Sequence, residues 1–171
     1  MSINNFSKKG LRLASGFTLI ELLIVVAIIA ALAVTVFVAL DPATRLKQAN
    51  DVRRQTDADT ILTAIHTSIV DSKGVMPTGL TTPMLETQLG TGAAGVCSPV
   101  STGGCSVAAS TACVNLATPL AKYLKTMPID PLGGSTYDAT KTGYTVTVDS
   151  NGIITIKACG TQGTTNVSVS R

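Results

Sequence analysis

Few side chains in this 171-residue sequence stand where they could do chemistry, and Glu21 is the first of them. From Phe17 to Leu40 it is the only residue that carries a charge. That run is long enough to cross a hydrocarbon layer of ~30 Å as a helix rising ~1.5 Å per residue. A carboxylate inside such a layer costs roughly 3 kcal/mol on insertion scales, so one that is retained calls for a cationic partner. Cys97, Cys105, Cys113 and Cys159 form the second set, and all lie beyond the apolar run. Their even number favours two disulfides in an oxidising compartment. Four cysteines allow three pairings and the sequence leaves the choice open. The preferred arrangement ties Cys159, near the last strand, to one loop cysteine and lets the other two bridge the loop. Zinc is disfavoured because no CxxC pair and no nearby His accompanies them. His66 is the only histidine. It lacks metal-ligand spacing and a nucleophile partner, and it is assigned no role. With no Ser/His/Asp set, phosphate loop or metal cluster, the chain reads as a non-enzyme without a cofactor.

The elements around Glu21 give it a direction. Residues 1–16 are polar, and Lys8, Lys9 and Arg12 are their only charges. These hold the leader on the cytoplasmic face and send the C-terminal part outward by the positive-inside rule. An ordinary secretory signal is cut after its apolar region; here the polar leader comes first. Once those three cations are set aside, ten basic residues face ten acidic ones. A near-neutral product argues against a basic nucleic-acid-binding surface, and no nucleic-acid partner is expected.

Gly16-Phe17-Thr18-Leu19-Ile20-Glu21, with its basic leader and apolar continuation, resembles the type III signal of type IV pilins and of the pseudopilins of type II secretion. The resemblance covers residues 8 to about 70, with weaker echoes near the C-terminus. It implies that a prepilin peptidase cuts between Gly16 and Phe17 and methylates the new amine, leaving N-methylphenylalanine. It also implies that Glu21 pairs with the Phe17 ammonium of a neighbouring subunit, which relieves two expensive charges and sets register. A pair within one chain is the alternative. The implied function is structural: a subunit stored in the inner membrane, with its head outside, and then polymerised into a homo-oligomeric helical filament. The implied partners are the peptidase, sibling subunits, the inner-membrane assembly platform and, before assembly, lipid. The alternative function is a minor pilin that acts as a binding module in DNA uptake or adhesion.

Further along, Asp41-Pro42 predicts a kink, an unwound segment or a fresh helix start. From Ala43 to Val70 an apolar stripe recurs at helical spacing, with Leu46, Ala49 or Asn50, Val52 or Arg53, Ala58, Ile61, Leu62, Ile65 and Ile69 expected to pack on a C-terminal sheet. The pairs Asp51/Arg54 and Arg53/Asp57 are expected on a solvated or intersubunit face. Gly74 reads as the helix stop. Residues 78–112 are loop-like in composition, with a short helix expected over Thr81–Leu89 and another over Val114–Lys125. Tyr144–Val148 and Ile154–Ala158 alternate around Ser150-Asn151-Gly152 and predict a β-hairpin, with a third short strand at Asn166–Ser170.

Met127-Pro128-Ile129-Asp130-Pro131 resembles an element that opens a calcium loop in major pseudopilins. Here the usual aromatic is missing, and Asp130 and Asp138, with Asp149 more distant, are the sole candidate carboxylate ligands for an ion that takes six to eight oxygens. A plain turn is preferred and no metal is assigned. The expected fold class is α+β: a long helical spine packed on a small antiparallel sheet. Its expected segments are a leader (1–16), a transmembrane or filament-core helix (17–40), an amphipathic continuation (41–73) and a disulfide-stapled head (74–171).

Overall fold

The computed structural model describes residues 16–93, 97, 103–107, 113–134, 136–163 and 166–171. The reading of residues 1–15 as leader lies outside them. The chain forms two compact units, one ending at Pro42 and the other running from Ala43 to Arg171.

The first unit is built on helix α1, Leu19–Leu40. Thr18 caps its start with extended backbone geometry. The helix ends where Asp41 takes a left-handed conformation, φ 36° and ψ 72°. The cause is local: the ring of Pro42 disfavours the α conformation for the residue before it. Pro42 then opens helix α2, Pro42–Asp71, from the first position, where its missing N–H leaves no intrahelical bond unmade. Of the three options open at Asp41-Pro42, the structure takes the fresh helix start.

The second unit pairs α2 with a four-stranded antiparallel sheet, and the fold class is α+β. The strands are β1 (Met84–Gln88), β2 (Tyr144–Val148), β3 (Ile154–Ala158) and β4 (Val167–Ser170), hydrogen-bonded in chain order. In the central hairpin Tyr144 lies opposite Ala158 and Val148 opposite Ile154. Its tip is a turn in which the Gly152 N–H donates to the Asp149 carbonyl (3.1 Å), with Gly152 at φ 84°. That is a turn with a left-handed third loop residue, which glycine occupies without steric cost. The Asp149 carboxylate tightens it by accepting from the Asn151 and Ile153 N–H groups.

Period-two alternation sends Tyr144, Val146 and Val148 to the same face as Ile154, Ile156 and Ala158. They meet Ala58, Ile61, Leu62 and Ile65 of α2, all of them at most 1% exposed. Burying each large aliphatic side chain contributes roughly 1.5–3 kcal/mol, and this contact area holds the helix to the sheet.

Three local expectations are corrected. Thr81–Leu89 is not a helix, because Met84–Gln88 completes the sheet as β1. Met84 pairs with Val148, Thr87 with Val146 and Gln88 with Thr145, across a register shift between Met84 and Thr87. Unpaired groups along β2 would leave an open edge, and sheet hydrogen bonds outweigh the weak helix preference of so short a stretch. Glu86 adds side-chain bonds to Thr145 (2.8 Å) and Lys157 (3.0 Å). Val114–Lys125 is likewise no regular helix. Val114 bridges to Leu89, and residues 117–123 pass through successive turns. Pro119 supplies no N–H, so bonds such as Leu120 N to Leu116 O (3.0 Å) do not propagate. Leu116 and Leu120 are nonetheless buried, with Tyr123 and Leu124 partly so. Finally, the apolar stripe of α2 does not reach its N-terminal part. Leu46 and Val52 are exposed, because the buried positions of the helix run only from Arg54 to Ser68.

Candidate functional site

Helix α1 buries none of its residues within the chain. Its apolar side chains are exposed on every side, from Leu19 (82%) to Phe37 (67%) and Leu40 (60%), and Phe17 just ahead of it is 91% exposed. It is long and apolar enough to cross a membrane. A helix apolar all round finds its partner in lipid or in other helices, not in water. Glu21 lies in its first turn. Its Oε2 accepts from the Thr18 N–H (3.1 Å) and the Thr18 hydroxyl (2.9 Å), while Thr18 Oγ1 accepts from the Glu21 N–H (3.2 Å). This reciprocal capping box satisfies donors that the first helical turn leaves free. Thr18 is thus a helix-capping residue that sequence reasoning missed. The signal was present as Thr-x-x-Glu directly ahead of an apolar run. Gly16 and Phe17 precede the helix in non-helical, exposed backbone.

The second assembly of charge lies in the head. The Arg54 guanidinium is fully buried and holds Asp130 in a two-pronged pair, Nε–Oδ2 at 2.7 Å and Nη2–Oδ1 at 2.8 Å. Its Nη1 donates to Asp51 Oδ1 at 2.6 Å. Asp51 in turn accepts from the Gln162 N–H (3.1 Å) and the Gly163 N–H (2.8 Å), and Asp130 Oδ1 also accepts from the Leu132 N–H (2.9 Å). The network joins α2 to the Ile129-Asp130-Pro131 turn and to the loop after β3. The expectation that Asp51 and Arg54 form a solvated surface pair is therefore corrected. Their i,i+3 spacing holds, but Asp130, distant in sequence, draws the guanidinium into the core. Arg53 stays outside, 3.9 Å from Asp57. Gly160 fits here because a Cβ on it would stand 2.5 Å from Asp130 Oδ2.

Asp57 has a second partner, the Tyr144 hydroxyl at 2.9 Å. Burial, reinforced by that carboxylate, pushes the Tyr144 phenol well above its ordinary value. At the far end of α2, the Asp71 carboxylate accepts from Lys122 Nζ (2.8 Å) and Tyr123 Oη (2.9 Å), which hold it below the usual carboxylate range.

The cysteines pair as Cys97–Cys113 and Cys105–Cys159, with Cα separations of 5.3 and 5.4 Å. The second bond carries the Cys105 segment onto the sheet face opposite α2, where Cys105 Sγ lies 3.6 Å from Thr145 Oγ1. Both Cys105 and Cys159 are buried. The candidate calcium ligands are kept apart in role. Asp130 is committed to Arg54, and Asp138 closes its own turn by accepting from the Thr140 N–H (2.7 Å) and the Lys141 N–H (3.2 Å). Asp149 serves the hairpin tip. Among the described residues no three His, Cys, Asp or Glu side chains gather into a group that could hold a metal ion. His66 is half-buried on the flank of α2, with no hydrogen-bond partner at Nε2.

Two chemistries follow from this geometry. The head is a disulfide-stapled body whose buried arginine, Arg54, is neutralised by Asp51 and Asp130. The N-terminal helix is a fully exposed apolar rod bearing one carboxylate. Residues 11–37, which span that carboxylate, match the prokaryotic N-terminal methylation motif, the prepilin signal of type IV pilins and pseudopilins. No curated protein and no solved structure matches the chain.

Proposed function

With a prepilin signal across residues 11–37 as the premise, we propose that this chain is cut by prepilin peptidase between Gly16 and Phe17, methylated on Phe17, and polymerised into a type IV pilus-like filament. The observation that carries this reading is α1 itself, whose apolar surface is exposed on every side and broken only by Glu21. Lipid satisfies that surface before assembly and sibling helices satisfy it afterwards. The head stays outside the inner membrane and decorates the filament.

Glu21 sets register. Its Oε2 is engaged by Thr18, and Oε1 accepts from no described residue. In a bundle of α1 helices it receives the Phe17 ammonium of a neighbour, so that two charges costly in apolar surroundings offset each other. That ammonium comes into being only when the bond after Gly16 is cut. The role is structural, and no side chain is assigned to catalysis.

Mass spectrometry of the chain produced together with a prepilin peptidase tests the first step. The expected mature N-terminus is N-methyl-Phe17; an intact Met1, or a cut elsewhere, refutes the reading. Glu21→Ala is expected to leave insertion and cleavage intact and to abolish filaments in sheared preparations. Filaments at the unaltered level would remove Glu21 from the assembly step.

A further inference from the structure

The two edges of the sheet differ. β1 is blunted: its ladder is interrupted between Met84 and Thr87, and its end is covered by Val114, which donates to the Gln88 carbonyl (2.8 Å) and accepts from the Gly90 N–H (3.0 Å). β4 has neither device, and no charge or proline falls within Val167–Ser170. Its register says which backbone groups are open. Ile154 and Arg171 exchange both hydrogen bonds, at 3.1 Å each. Alternate pairs do the same in an antiparallel ladder, so Val169 bonds to Ile156 and Val167 to Ala158. The N–H and C=O groups of Ser168 and Ser170 therefore point away from β3. Both residues are exposed, and among the described residues no partner meets those groups.

A cavity of about 650 Å³ opens beside this edge. Val167 of β4 stands in its wall with Gln162 of the preceding loop and Lys47, Asp51, Val52 and Gln55 of α2, and no residue of β1, β2 or β3 does. Val52 is one of the apolar residues that the sheet leaves exposed. Asp51 is engaged at both oxygens, by Arg54 and Gln162 at Oδ1 and by Gly163 at Oδ2. Lys47 forms no ion pair among the described residues. The wall thus offers an apolar contact and one unanswered cation.

We infer that β4 receives an extended segment of another protein as a fifth strand, with an apolar and an acidic side chain of that segment turned toward α2. Open backbone donors and acceptors in strand register are met by another backbone. Side chains of an added strand alternate between faces, so every second one lies on the α2 side, where Val167 and Val169 already pack on the core. There an apolar residue covers Val52 and Val167, and a carboxylate answers Lys47. A second copy of β4 is a poorer occupant, since Val-Ser-Val-Ser carries no carboxylate and runs into Arg171. Such docking involves the head alone, so it goes beyond the filament reading and does not depend on it.

The probe is a labelled peptide, Thr-Val-Thr-Glu-Thr-Val-Thr, titrated against the full chain in detergent and read by fluorescence polarisation. Saturable binding is expected, weakened roughly tenfold when Lys replaces the peptide's Glu, and Lys47→Glu in the chain should reverse that preference. Ser168→Pro removes an outward N–H that the ladder to β3 does not use, and should weaken binding by at least about tenfold. Hydrogen exchange needs no variant. The Ser168 and Ser170 amides should exchange freely in the chain alone and slow at least about tenfold with the peptide, while those of Val167 and Val169 are protected throughout. No saturable binding, equal affinity for the two peptides, an indifferent Ser168→Pro, or protection that falls elsewhere overturns the inference. So does protection of Ser168 and Ser170 in the chain alone that fades on dilution, which would assign the edge to a second copy. None of these outcomes touches the cleavage after Gly16.

Discussion

Replacing Arg54 by Met removes a cation buried against two carboxylates and leaves a side chain of similar length in its place. Asp130 would then keep only the Leu132 N–H while remaining fully out of water. Asp51, 13% exposed and still served by the Gln162 and Gly163 N–H groups, suffers less. Breaking a buried pair from one side costs about 3–5 kcal/mol, since the partner charge is left uncompensated. For a domain with a total stability of about 5–15 kcal/mol this is a large share. The midpoint of thermal unfolding should fall by roughly 10–20 °C. Asp130→Asn should cost less, because the amide retains an acceptor for the guanidinium and Arg54 keeps Asp51. The double variant should then be less destabilised than the two singles summed, since removing both charges removes the orphan. Urea titration of the full chain in detergent, followed by circular dichroism, measures all three. An Arg54→Met loss below about 1 kcal/mol would show that the pair is solvated after all and refute the reasoning.

The two disulfides should differ in weight. Cys105–Cys159 spans 54 residues and Cys97–Cys113 spans 16, so chain entropy assigns about 4 and about 3 kcal/mol respectively. Cys105→Ser/Cys159→Ser should therefore lower the urea midpoint more than Cys97→Ser/Cys113→Ser, and the reverse order would contradict it. Tyr144 gives a prediction in pH. Its folded-state phenol ionises above the ordinary value, raised by burial and then by Asp57, while an unfolded tyrosine ionises near pH 10. Its contribution is complete below about pH 10 and declines as the pH rises beyond it, so the stability gap between the unaltered chain and Tyr144→Phe should narrow there. Parallel pH profiles from about pH 8 to 11 would count against the buried Tyr144 phenol and its bond to Asp57.

Where the physics is local, residues close in sequence were enough to read it. An apolar run bounded by Gly16 and Asp41-Pro42 is a helix because each residue's hydrogen-bond partner lies four positions away. The hairpin at Ser150-Asn151-Gly152 is legible because its turn and its alternation are neighbours. Thr18 was equally local and was overlooked, not hidden. Met84–Gln88 failed for the opposite reason. Its own residues lean weakly in any direction, and it becomes a strand because β2, about sixty residues later, has an edge to fill. Arg54 is the sharper case. Its helical spacing puts it in line with Ala58 and Ile61, whereas Arg53 lines up with Asp57, but it is Asp130, 76 residues on, that gives the guanidinium a fully buried counter-charge.

The sequence by itself determined the membrane-compatible helix, its lone carboxylate, the prepilin signal and the α+β class. Each depends on composition or spacing along a short stretch. Tertiary structure alone decided which of three cysteine pairings forms, which arginine is buried, and that Asp130 serves Arg54 and not an ion. Those outcomes turn on which distant groups meet. A charge enters the core only where the fold brings a counter-charge to receive it.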